Sequence, residues 1–410
     1  MNKILLGALL AVTLLVSACS QAPAAVPGEL GAQFGSPRDD YAGVVTTDAQ
    51  RGRVYVAGAY TGPYDEGGTT ARGDVVFFRR HNRDGSLAWK VSANTEAQGV
   101  TASVMGADTD SLGNVYFAWR TLTTAGSADR GFVSKYSSGG KLLFHKELPG
   151  VYTVAVATDA LNNFYLATSG GASGGKVEKF SKSGRRVWTK TLPSDDDSDY
   201  PVSPTGLDLA ADGSLYVVVN TAYDSPFLLK LRGRDGKVLK RSRVSGDYAD
   251  EVAVAGGSVY VYSALDTPFH FEPIVSSFRP DGSKRWERRG NFESDENFSD
   301  LSYDAATGGI SADAYGNVYL AGTFVTERDY SGRADADVLV RKYTPSGDVA
   351  YNRRFFDPAT GASGRGVAVV SGSELYVVGS TSGAVNGRTS GGREAFLMRL
   401  SAQGQKVWER

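Results

Sequence analysis

The stretch GNVYLAG at residues 316–322 decides the fold, because its plan returns along the whole chain. GRVYVAG (52–58), GNVYFAW (113–119), NNFYLAT (162–168), GSLYVVV (213–219), GSVYVYS (257–263) and SELYVVG (373–379) share it. Each has a Gly, Asn or Ser, two further residues, a Tyr, and then apolar residues. The aligned tyrosines are Tyr55, Tyr116, Tyr165, Tyr216, Tyr260, Tyr319 and Tyr376. Their mean spacing is about 53 residues, a period typical of repeat architectures.

A second element follows each Tyr. A Gly stands four residues before an aromatic in DGSLAW (84–89), GGKLLF (139–144), SGRRVW (183–188), DGSKRW (281–286), SGDVAY (346–351) and QGQKVW (403–408). The remaining copy, DGKVLK (235–240), has Lys240 in the aromatic position. Between the two elements run apolar or alternating segments such as DVVFFRR (74–80), FLLKLR (227–232) and AFLMRL (395–400). Others precede each Tyr element, such as YAGVVTTD (41–48) and YADEVAVA (248–255). Period-two alternation with β-branched and aromatic residues predicts strands.

Each repeat thus holds four strands, A to D, and the chain is all-β. Seven four-stranded units predict a seven-bladed β-propeller of antiparallel blades, whose blades cover one another's faces and leave few free edges. The pattern resembles the bacterial seven-bladed propeller repeat family. There an Asp, a Gly-Asn-x-Tyr strand and a strand ending in a Lys-Tyr-like pair recur, as in Lys135-Tyr136 and Lys342-Tyr343. The resemblance covers residues 36–410 and implies a fold and an envelope context, not a reaction. The Gly-x-x-x-Trp element is also similar to quinoprotein repeats and to the eight-bladed outer-membrane assembly lipoprotein. Seven copies here set the chain apart from both.

Composition excludes several classes. The chain has 410 residues, 44 Lys+Arg against 45 Asp+Glu and a net charge of −1, with no basic stripe for nucleic acid. One Cys excludes an internal disulfide and a multi-thiolate zinc site, and three His leave little for a histidine metal centre. No cofactor is expected. The 41% hydrophobic content is enough for a large core.

The single Cys has a particular place. Residues 1–18 read MNKILLGALLAVTLLVSA: a charged start at Lys3, a short apolar run, then small residues directly before Cys19. That is a secretory leader, too short in its apolar part to span a membrane comfortably. Val16-Ser17-Ala18-Cys19 resembles the bacterial lipobox, which implies that Cys19 is acylated and becomes the mature N-terminus. Ser20 does not resemble an inner-membrane retention signal, which implies the outer membrane in a diderm. Residues 19–35 then read as lipidated Cys and flexible tether, and 36–410 as the propeller. Leu30 to Gly35 resembles a D strand, yet the chain also ends in one, so two modes of ring closure are open.

In a meander of four strands the A–B and C–D turns lie at one end, and the B–C and D–A connections at the other. The tight, Gly-, Asn- and Asp-bearing turns fall in the first set. The longer segments fall in the second, among them 59–73, 193–203, 263–272, 290–307, 323–336 and 380–394. Loops on a rigid scaffold commonly carry binding. The expected binding face therefore includes Tyr60, Tyr64, Asp65, Tyr200, Tyr223, Phe269, His270, Phe271, Arg328 and Tyr330. Asp195, Asp197 and Asp199 have a calcium-like spacing, but Tyr200 and Gly206 stand where an EF-hand loop needs Gly and Glu. A solvated acidic loop is the default there. Asp48, Asp110, Asp159 and Asp313 at the A–B turns read as turn caps rather than ligands. His81 and His145, on or beside strands, read as structural.

These readings predict a monomeric, lipid-anchored envelope propeller, a non-catalytic binding or scaffold module for a protein or surface glycan. An envelope enzyme (a quinone-dependent dehydrogenase or a polymer-cleaving propeller) and an outer-membrane assembly scaffold are the alternatives.

Overall fold

The computed structural model describes residues 34, 39–61, 74–94, 100–123, 130–170, 174–193, 201–222, 225–266, 271–290, 309–328, 334–355, 361–370, 374–382 and 392–409. Blade 1 is β1 (Asp40–Asp48), β2 (Arg53–Tyr60), β3 (Val75–Asn82) and β4 (Leu87–Asn94). Blade 2 is β5 (Val100–Thr109), β6 (Val115–Thr123), β7 (Arg130–Tyr136) and β8 (Leu142–Pro149). Blade 3 is β9 (Tyr152–Thr158), β10 (Phe164–Ser169), β11 (Lys176–Phe180) and β12 (Arg186–Thr191). Blade 4 is β13 (Ser203–Leu209), β14 (Ser214–Asn220), β15 (Phe227–Arg232) and β16 (Val238–Arg243). Blade 5 is β17 (Tyr248–Ala255), β18 (Ser258–Asp266), β19 (Phe271–Phe278) and β20 (Lys284–Arg289). Blade 6 is β21 (Ile310–Ala312), β22 (Val318–Arg328), β23 (Ala334–Tyr343) and β24 (Val349–Phe355). Blade 7 is β25 (Ala362–Val370), β26 (Glu374–Thr381), β27 (Glu394–Ser401) and β28 (Lys406–Glu409). Each blade is one antiparallel sheet in sequential order, and the chain is a seven-bladed β-propeller.

The core lies between blades. The apolar faces of neighbouring blades merge into clusters, such as Tyr55, Phe78 and Trp89 of blade 1 with Phe117, Trp119 and Tyr136 of blade 2. All seven repeat tyrosines are buried. Several reach the next blade: Tyr55 donates to the Gly113 carbonyl (2.9 Å), Tyr165 to Gly233 (3.2 Å), Tyr216 to Pro280 (3.3 Å) and Tyr260 to Gly316 (2.9 Å). Burying the ring and satisfying its hydroxyl together explain why Tyr rather than Phe recurs.

The second element binds blade to blade as well. The D-strand aromatic lies on the C–D turn glycine of the following blade. A Cβ on Gly140 would come within 2.9 Å of Trp89, on Gly236 within 3.0 Å of Trp188, on Gly347 within 2.8 Å of Trp286 and on Gly404 within 2.7 Å of Tyr351. The indole N–H groups of Trp89, Trp188 and Trp286 donate to carbonyls of the same turns at 2.9–3.2 Å. Lys240 keeps the geometry with its aliphatic stem, whose Cγ would stand 2.7 Å from a Cβ on Gly282.

The A–B turns repeat a second device. Oδ1 of Asp110 accepts the N–H groups of Leu112 and Asn114, and the Asn114 amide donates to both its carboxylate oxygens. Asp159 with Asn163 does the same, and Asp313 with Asn317 matches closely. Asp48 differs, pairing instead with Arg51 and Arg53. Lys135 reaches Asp110 (3.0 Å) and Tyr116 (2.6 Å), which gives the Lys of the Lys-Tyr pair a turn to hold.

Both closure modes contribute. Blade 7 contains its own outer strand, β28, but that strand pairs only with Met398–Leu400 of β27. Phe34 bridges Ala395 at the uncovered end of β27. Its buried ring meets Phe77 edge-on at 5.5 Å, and the Arg79 guanidinium sits 4.1 Å from its centroid. Asp40 N–H donates to the Arg393 carbonyl, and Arg393 N–H to the Asp39 carboxylate. Arg83 of blade 1 and Arg399 of blade 7 converge on Glu374.

Two stability outcomes follow. Gly347 has φ +87° and would seat its new methyl against Trp286, whereas Gly213 (φ +78°) has open space around it. Gly213→Ala should cost about 1–2 kcal/mol from backbone strain. Gly347→Ala should cost about 1–3 kcal/mol more from overpacking. Chemical denaturation of the two variants reads the difference. Phe34→Ala should cost about 3 kcal/mol, seen as a lower thermal midpoint and faster proteolysis.

The central channel as a candidate functional site

The expected loop-face residues divide sharply. Tyr60 is not on a loop: it ends β2 with its ring buried 4.8 Å from Phe77, and its hydroxyl accepts a hydrogen bond from Arg79 (3.1 Å). Strand alternation turns it into the blade 1–blade 7 core, so it is removed from the binding face. Phe271 opens β19 opposite Asp266, and Arg328 ends β22 opposite Ala334. Segments 263–272 and 323–336 are therefore largely paired hairpin, with only 267–270 and 329–333 between strands. Tyr64, Asp65, Tyr200, Tyr223, Phe269, His270, Tyr330, Asp195, Asp197, Asp199 and Cys19 lie outside the described residues. His81 Nδ1 bonds the Gly85 carbonyl, and His145 Nδ1 bonds Ser134. Burial between strands lowers the His145 pKa.

What the described residues do assemble is a channel along the propeller axis. The A strands of all seven blades line a cavity of about 580 Å³. Six A strands have a bulge at the same register, three residues before the partner of the repeat Tyr. The bulged residues are Gly43, Met105, Val154, Thr205, Asp250 and Arg365, and all line the cavity. A bulge re-aims the extra side chain. One residue beyond, Gly106, Gly206 and Gly366 stand where adjacent A strands come closest. A Cβ on Gly206 would be 2.9 Å from the Glu251 backbone.

Four carboxylates face this channel: Asp108, Asp208, Asp250 and Glu251. Three are held by backbone. Asp108 accepts the Thr158 N–H (2.7 Å) and hydroxyl (2.8 Å) of the next blade, and its own neighbour Thr109 N–H. Asp208 accepts Val254 N–H of the next blade (2.6 Å) and Leu209 N–H. Glu251 accepts Ile310 N–H of the next blade (2.8 Å). These acceptors serve the inner edges of A strands, which have no ladder partner there. Asp250, on the bulge, makes no hydrogen bond or ion pair among the described residues.

Enclosure raises every one of these carboxyls. Burial pushes Asp108 up to about 6, against the pull of its N–H partners. It pushes Asp208 and Glu251 up to about 7, neighbouring carboxylates adding to it, and Asp250 to about 7 on its own. Two cations share the lining. Arg365 stacks over Tyr41 (4.6 Å) and Arg120 over Tyr152 (5.0 Å). Among the described residues no group of three or more His, Cys, Asp and Glu is arranged for a metal ion.

Sequence reasoning passed over this ring. Its signal is an acidic or basic residue in a strand whose counterparts are small or apolar. That signal emerges only when the A strands are aligned by register, because A–B turn length varies between blades.

No protein-family model and no curated protein sequence matches the chain. Solved structures do. The β-propeller domain of Myceliophteria thermophila Cps50 (Swd1) superposes with a TM-score of 0.51 at 8% identity, over 85% of this chain and 95% of that one. Kuenenia stuttgartiensis hydrazine synthase gives 0.50 at 13% identity, over 73% and 76% of the two chains. BamB from Moraxella catarrhalis gives 0.40 at 14% identity, over 87% and 82%. At such identities the likeness is one of fold alone.

The raised carboxyls fix a sign for pH dependence. Their folded pKa values lie above those of the unfolded chain, so the folded state binds more protons between about pH 4 and 7. The stability that these four groups contribute is full below their unfolded values and falls as pH rises through about 6 to 7. Thermal midpoints measured from pH 5 to 8 should decline, and Asp250→Asn should flatten part of that decline.

Proposed function

We propose that the chain is a lipid-anchored propeller of the bacterial cell envelope, a binding or scaffold module that holds a protein or surface polymer at its B–C and D–A face. The observation that supports this is the asymmetry of the two faces. The A–B and C–D turns are short and committed to neighbouring blades through the Tyr and Trp contacts. The connections at the other end are far more unequal, from two residues between β8 and β9 to twenty between β20 and β21. A rigid ring that varies most at one face is suited to display recognition loops there. The leader and Val16-Ser17-Ala18-Cys19 support export and acylation, with residues 20–33 as the tether.

Metabolic labelling with an alkyne fatty acid should tag the wild-type protein and leave Cys19→Ser untagged and released from the membrane fraction. Site-specific photo-crosslinking from Tyr64 and Phe269 should give one saturable adduct in envelopes. Tyr64→Ala and Phe269→Ala should weaken it roughly tenfold while leaving the thermal midpoint unchanged. Adducts of equal strength from the A–B turn position Leu161 would move the binding face to the other end.

A further inference from the structure

Among the described residues, Asp250 is the one channel carboxylate that accepts no hydrogen bond. Asp108, Asp208 and Glu251 each accept a backbone N–H from the next blade. Asp250 does not, though it is half-buried and lines the cavity. Half-buried and on the cavity wall, its carboxylate is open to a small solute there. Its equivalents in the other described A strands are Gly43, Met105, Val154, Thr205 and Arg365, so the repeat does not require an acid there. In a ring of seven, blade 5 faces the gap between blades 1 and 2. Opposite Asp250, at the same level, stand Gly43 and Met105: an open position beside a flexible apolar side chain.

We infer that the channel binds a small organic cation, a primary ammonium with a short alkyl body, with its charge on Asp250 and its chain toward Met105 and Gly43. The cavity of about 580 Å³ is in the range of small-molecule sites. One free carboxylate matches one ammonium through a charge-assisted hydrogen bond. A divalent ion needs several oxygen ligands, and both oxygens of Asp108 and Asp208 and one of Glu251 already accept backbone N–H groups. Tyr41, stacked under Arg365, closes part of the same wall. This site is independent of the loop face.

Binding should depend on pH, because the ammonium needs the ionised form of Asp250. The groups around it are Glu251 and Tyr248 on its own strand, Tyr262 on β18, Asp208 on β13 and Asp108 on β5, with Arg120 and Arg365 on the far walls. The carboxyls titrate in the same direction and reinforce the effect.

The test uses the purified full chain, calorimetry and thermal shift, with n-butylammonium as probe and 1-butanol as its neutral counterpart. The expected result is at least tenfold tighter binding of the amine at pH 8, weakening at least fivefold at pH 5.5. Asp250→Asn should lose at least tenfold in amine affinity while its circular dichroism matches wild type. Equal binding of butanol, pH-independent binding, an unchanged affinity in folded Asp250→Asn, or stabilisation by calcium or magnesium but not by the amine would each overturn the proposal. The wild-type comparisons decide it even if the variant does not fold.

Discussion

A glycine that must stay bare holds this ring together. At four C–D turns the chain turns back through Gly140, Gly236, Gly347 or Gly404, and the missing Cβ is where the preceding blade rests its D-strand aromatic. Two demands meet at one position: a left-handed backbone and a flat seat for a ring. Only glycine meets both at no cost. The Trp then adds a hydrogen bond to the turn it covers, and the repeat Tyr adds another from the inner strands. Each blade is therefore stabilised largely by its neighbour, which is how a four-stranded sheet with two apolar faces becomes soluble as part of a circle.

The inside of the circle has the opposite problem. Seven A strands turn their unpaired edges toward one axis, and buried N–H groups need acceptors. Asp108, Asp208 and Glu251 provide them across blade boundaries, and Ser311 does so for Val369. These acids are structural first, and their raised proton affinities come mainly from burial, with their neighbours' charges adding to it. Asp250 departs from this logic because a bulge, not the pleat, sets its direction.

The fold could be read from the residues because the repeat is written in chemistry that tolerates little substitution: Tyr for a buried hydroxyl, Gly for a turn, Trp for a seat. Strand number, order and blade count all follow from it. The departure at Lys240 was visible as a mismatch, but only packing shows that a lysine stem fills the aromatic's place. Tyr60 was misread because an apolar run that ends a strand looks like the start of a loop, and only the register with Val75 places it. The hairpins of blades 5 and 6 were misread for the same reason. The channel ring was invisible because its members are far apart in sequence, and they share a level only once each bulge is known. Nothing in a linear pattern says that Met105 and Asp250 occupy the same shelf.

The contact of Phe34 with β27 has a consequence for how the chain comes to be folded. Asp39 and Arg393, joined beside it, are 354 positions apart. No blade in between can bring them together, since each is built from consecutive strands and contacts only its neighbours. A molecule emerging N-terminus first would hold an open arc, with the apolar flank of blade 1 uncovered, until its last hairpin arrived. Contacts so distant along the chain are the slow ones to form. The seam is thus both the last place to close and the place where early blades wait exposed, and a helper that shields blade 1 during synthesis would act there before any other part of the ring.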